Sequence, residues 1–234
     1  FEGLEREEWD HGELRAIRWS NRDVPPLRRE PYSPPVQELL PWVSYSFGVS
    51  WQDVGDTMRD RVLPVLRSSP ELREWSAALL GGDDLERAVR TLVDAVCDEV
   101  AAGRRALTLG TTAGVNFSRR DGNRLAIVAA ALVDAGWDVD LVMARPRLLA
   151  GTHLEVPTLE TFSEPLLRVR RAGREVWVDL EDQRRGVDSI RPILQGGDGL
   201  VLPLTHPADP VTLLERLPEF ESRELEQRVS VNAS

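Results

Sequence analysis

Apolar positions along the chain fall into one continuous block and several periodic ones. Residues 125–135 carry Leu125, Ile127, Val128, Leu132 and Val133, with alanine at 126 and 129–131. A helix here is apolar nearly all round, and such a helix belongs at the centre of a core. Gly136 follows, and glycine accepts the left-handed conformation that ends many helices. Residues 137–143 (WDVDLVM) then alternate as a strand does. The polar stretch 116–124 (NFSRRDGNR) feeds the start of the buried helix and places residues around 121 at a helix N-terminus facing a cleft. Such a terminus favours an anion or a thiolate.

Upstream, Ser50 is a good N-cap for a helix over 51–66, with Asp53 as its acidic partner. Val54, Met58, Val62 and Val65 or Leu66 make its buried stripe, and Pro64 kinks or ends it. Pro70, after Ser69, opens a second helix to about Leu80, and Gly81-Gly82 breaks it. Asp83 or Asp84 caps the clearest amphipathic helix, 85–102, through Leu85, Ala88, Val89, Leu92, Val93, Val96 and Val100. A short strand over 104–109 and a loop over 110–117 follow. Gly110-Thr-Thr-Ala-Gly114 lacks the Gly-Lys-Ser/Thr ending of a phosphate-binding loop and reads as turn chemistry.

Beyond the central strand, 145–158 is a polar loop containing His153, which reads as solvated. Strands over 162–169 and 175–179 are joined by a hairpin at Ala172-Gly173. Residues 183–199 form a loop with a short apolar piece (Ile190, Ile193, Leu194), and 199–204 (GLVLPL) is a last core strand. At the N-terminal end, 13–19 (ELRAIRW) alternates as a strand, with Leu14, Ala16 or Ile17 and Trp19 on its buried side. Residues 21–35 hold five prolines and read as an extended connector, and 42–49 as an edge strand. At the other end, 206–218 is linker-like with three prolines, and 223–233 resembles the first strand of a following β domain.

Composition narrows the partners. The chain has 234 residues, 41% hydrophobic and 29% charged, ample for a core. Its net charge of −10 argues against nucleic acid or an anionic membrane surface as the main partner. All 29 basic residues are arginine, so the chain offers no lysine amine for an isopeptide bond. No apolar run approaches the ~20 residues that span a bilayer. One cysteine rules out an intrachain disulfide. That residue, Cys97, lies beside the apolar face of 85–102 between Asp94 and Asp98, and reads as a small buried hydrophobe rather than a nucleophile. The chain opens on Phe1 and reads as a piece of a longer protein.

The loop 119–123, the buried helix and its Ala135-Gly136 ending resemble the core of bacterial transglutaminase-like domains, where Gly-Asp-Cys-Lys-Asp opens a buried helix ending in Ala-Ala-Gly. In that alignment the nucleophilic cysteine falls on Asp121. Phe162-Ser163-Glu164 resembles the family's Phe-x-His strand, with the histidine at Glu164, and Asp179 matches the acid that orients it. The intervals, 43 residues and then 15, suit the family's order. Arg18-Trp19, the prolines of 25–35 and Ser50-Trp51 resemble the tail of the β-rich domain that precedes such cores in bacterial envelope proteins.

The resemblance implies an α+β fold: a transglutaminase-like or papain-like core over 49–204, helices packed on an antiparallel sheet. It also implies a piece of a β-rich domain and a linker over 1–48, and a linker with the start of another β domain over 205–234. The triad positions read Asp121, Glu164 and Asp179, with no intact catalytic residue. Acyl transfer needs a nucleophile and a base that takes and returns the proton, and three carboxylates do not supply them. They would repel one another, with Arg119, Arg120 and Arg124 close by in sequence to neutralise them.

The resulting expectation is a non-catalytic pseudo-transglutaminase domain that binds a protein or peptide in the bacterial envelope or periplasm, with no cofactor. Three alternatives stand beside it. One is an active peptidase or acyl transferase with an unrecognised nucleophile. Another is a divalent cation held by Asp121, Glu164 and Asp179, since carboxylates are hard oxygen ligands. A third is acid–base hydrolysis by paired carboxylates of the glycosidase kind.

Overall fold

The computed structural model describes residues 5–12, 14–22, 48–82, 84–103, 107–147, 154, 156–181, 186–214 and 216–220. The chain divides into two compact units, one of Phe1–Phe47 with Leu149–Val156, the other of Gly48–Leu148 with Pro157–Ser234. In the first unit, β1 (Glu5–His11) and β2 (Leu14–Ser20) form an antiparallel hairpin with Trp9 opposite Ala16 and Arg6 opposite Trp19. The charge-rich β1 carries no alternating signal and was not expected. Ile17 and Trp19, placed on a buried side by their spacing, are exposed.

The second unit opens with α1 (Trp51–Val62), closed at its start by a reciprocal Ser50–Asp53 capping box. Pro64 lies in the 3-10 turn Leu63–Leu66 that ends it. Helix α2 (Pro70–Leu79) starts on the Ser69 cap, and α3 (Leu85–Glu99) on the Asp84 cap. Helix α3 stops three residues short of the expected 102. Ala101–Ala102 instead forms β3, paired in parallel with β4 (Asp121–Gly122). Between them, α4 (Ala113–Arg119) occupies the stretch read as a loop, capped by Thr112.

Helix α5 (Arg124–Asp134) is the predicted central rod, with every residue from 125 to 132 buried. Leu125, Ile127 and Leu132 each contribute about 1.5–3 kcal/mol relative to exposure. Its end is a Schellman turn. Gly136, at φ +74, donates to the Val133 carbonyl, and Trp137 donates to that of Leu132.

The remaining strands build a six-stranded antiparallel sheet in the order β10-β9-β5-β6-β7-β8. They are β5 (Asp138–Ala144), β6 (Glu164–Arg171), β7 (Arg174–Asp179), β8 (Gly186–Val187), β9 (Gly199–Pro203) and β10 (Thr212–Leu214). Helix α5 lies on β5 and β6, α3 on β7 and β8, and α1 on β9 and β10. This is the expected α+β class, helices with an antiparallel sheet.

A further core cluster joins Val142, Ala144, Leu166, Trp177 and Val201 of the strands to Ile190, Leu194 and Leu217. Residues 205–220 are therefore no linker. Strand β10 pairs with β9, Val211 and Leu217 are buried, and the Leu217 amide donates to the Gly197 carbonyl. Apolar residues there have sheet to cover, which outweighs the turn signal of the prolines. The readings on 23–35, on 41–47, on His153 and on 223–233 lie outside the described residues.

Candidate functional site

Glu164 is the first residue of β6 and Asp179 the last of β7, so the antiparallel hairpin carries both to one end of the sheet. A residue that the sequence did not single out joins them. Arg191 donates through Nη1 to Glu164 Oε2 (2.9 Å) and through Nε to Asp179 Oδ2 (3.0 Å). Its backbone amide also donates to Asp179 Oδ2 (2.8 Å), and the Glu181 amide donates to Asp179 Oδ1 (3.2 Å). Asp179 has no exposed surface, so the three donors that reach it, Arg191 Nε and the backbone amides of Arg191 and Glu181, stand in for its lost water. Burial works against the Arg191 charge, but attraction and hydrogen bonding to Asp179, and then to Glu164, outweigh it and raise its pKa above the usual guanidinium value.

Asp121 does not join this pair. It is an exposed residue of β4, paired through its backbone with Ala101, and its side chain makes no ion pair or hydrogen bond with the described residues. The cap of α5 is Asn123, two residues further on. Its Oδ1 accepts from the Ala126 amide (3.1 Å), and its Nδ2 donates to the Thr108 carbonyl (2.9 Å). Among the described residues, no group of three or more His, Cys, Asp or Glu is placed to hold a metal ion. The alternative of a cation at Asp121, Glu164 and Asp179 gains no support here, since the Arg191 guanidinium already takes one oxygen of Glu164 and one of Asp179.

The arginines expected to neutralise these acids serve elsewhere. Arg124 donates to the Val100 (2.7 Å) and Cys97 (3.0 Å) carbonyls at the end of α3. Arg120, held at φ +55, pairs with Glu71 and Glu99 and lies 3.9 Å over the Phe117 ring. Arg119 is exposed. Sequence proximity to Asp121 gave the wrong partner because helix geometry turns these side chains towards α2 and α3. Cys97 is buried.

Glu164 faces a groove of about 440 Å³. Met58 of α1, Met143 of β5 and Pro165 are among its apolar lining, with Leu107 and Leu109 of the loop before α4, while Ser163, Glu164 and Glu181 supply polar groups. Asn123 holds that loop at Thr108, so the start of α5 is tied to the groove's wall. Phe162 packs edge-on against Trp51 at 5.1 Å, which brings the Phe-x-Glu and Ser-Trp segments together.

The site's chemistry follows from these groups. A guanidinium stays protonated near neutral pH and cannot shuttle a proton. The hydroxyl lining the groove, Ser163, donates to Glu164 Oε1 (3.2 Å), a carboxylate whose other oxygen is bound to Arg191.

No protein-family model matches the sequence, and no curated protein matches it. Among solved structures, the fold is similar to that of a putative protease from Parabacteroides distasonis, with a TM-score of 0.54 at 15% identity. The match covers 91% of this chain and 40% of that one, and at this identity the likeness is one of fold alone. The chain thus shares an α+β fold with a protein described as a putative protease, and spans less than half of that protein's length.

Proposed function

We propose that the 48–220 region is a pseudo-transglutaminase domain: a transglutaminase-like scaffold that binds a peptide or protein segment in its groove without transforming it. The observation that carries this reading is the Arg191 bridge. Where the resembled family places an imidazole and its orienting acid, this chain has two carboxylates fixed by one guanidinium. The third position is an exposed aspartate, and the sole thiol is buried. A groove with an apolar floor and a few polar groups is the usual form of a binding site. By the same resemblance, we place the protein in the bacterial envelope or periplasm.

The test has two parts. Purified protein is expected neither to hydrolyse peptide amides nor to incorporate an amine into them, while a bound peptide shifts the methyl resonances of Met58 and Met143. Turnover of a peptide would end the reading.

A second reading, an active peptidase, draws support from the fold neighbour's description and from Ser163 at the groove. It requires activity that disappears in Ser163→Ala while the fold persists.

A further inference from the structure

We infer that the groove's occupant is a peptide carrying a basic side chain, arginine or lysine, next to an apolar one. This rests on the peptide-binding reading and adds the chemistry of the ligand. At the groove's end a single guanidinium is shared by two carboxylates, Glu164 and Asp179, so the cluster retains one uncompensated negative charge. Asp179 is fully buried and Arg191 largely so, whereas the Glu164 side chain keeps 26% of its surface exposed and lines the groove. The excess charge is therefore presented through Glu164.

Among the described lining residues none is basic, and apart from Ser163 and Glu181 those that share the groove with Glu164 are apolar: Met58, Leu107, Leu109, Met143 and Pro165. Low-polarity walls strengthen an electrostatic interaction relative to water. Methionines adapt their shape to varied partners. A cationic head at Glu164 with an apolar neighbour against the methionines matches both features. A groove of about 440 Å³ holds such a pair rather than a folded domain.

The experiment is calorimetric titration of the full chain with three acetylated, amidated pentapeptides, Gly-Leu-X-Leu-Gly, in which X is arginine, its uncharged isostere citrulline, or glutamate. The arginine peptide is expected to bind at least about tenfold tighter than the citrulline peptide, and the glutamate peptide weakest. The gap should narrow as salt rises from about 50 mM to about 500 mM. Glu164→Gln removes one charge and leaves Asp179 and Arg191 balanced, so the gap should close. Leu109→Arg, at an exposed rim position that does not threaten folding, should abolish binding of the arginine peptide. Equal binding of the arginine and citrulline peptides would overturn the charge inference and leave the peptide groove standing. No binding of any peptide would overturn both.

Discussion

Arg191 lies 27 residues from Glu164 and 12 from Asp179 in sequence, yet it decides what those two acids do. A buried carboxylate is tolerated when paired and strongly destabilising when its partner is removed. Arg191→Met is accordingly expected to cost about 3–5 kcal/mol in urea unfolding. Asp179→Asn, which keeps the shape and removes the buried charge, should cost less. Asn123 works on a smaller scale, capping α5 and anchoring Thr108 with one amide. Asn123→Ala should lose about 1–3 kcal/mol, and its amide exchange should rise at 107–109 as well as at the helix start. A variant that loosens only the helix would show that the Thr108 bond does not hold the groove wall.

At the scale of elements, helix starts are where charge and backbone meet. The Asp53 carboxyl is held below its ordinary range by the Ser50 hydroxyl and then the Ser50 amide, and that of Asp84 chiefly by the Arg87 amide. A carboxyl that ionises more readily in the folded chain favours folding above the usual aspartate value of about 3.9 and loses that contribution as pH falls through the lowered value. Asp53→Asn and Asp84→Asn should therefore melt below the parent near neutral pH, with the difference shrinking steadily on acidification. A difference independent of pH would mean that packing, not charge, sets the effect. The same scale explains α4. It is short and directly follows Gly110-Thr111-Thr112, so propensity argues for a loop, but Gly114 fits against the backbone at Ser68 and Ser69 and donates to the Arg67 carbonyl. Tertiary contact overrides a weak local preference.

For the whole molecule, the sheet is complete only when its last strand is included. A chain ended at residue 204 loses β10, Val211 and Leu217, and uncovers the core around Trp177, Ile190 and Leu194. Such a truncation should bind a hydrophobic dye, shift tryptophan emission to the red and unfold with reduced cooperativity relative to the full chain. Unchanged melting would place those residues outside the core.

Periodicity alone determined the buried rod of 125–135, the capped helices that precede it and the hairpin at Ala172-Gly173, because these depend on neighbours within a few residues. It also placed Glu164 and Asp179 on adjacent strands. The partner of those acids lies in an irregular segment with no repeating pattern, so only the folded chain could reveal that Arg191 bridges them. The exposed setting of Asp121 and the role of 205–220 were likewise decided by tertiary contact. Charge pairing and strand closure act across space, and no local pattern of residues reports which distant groups will meet.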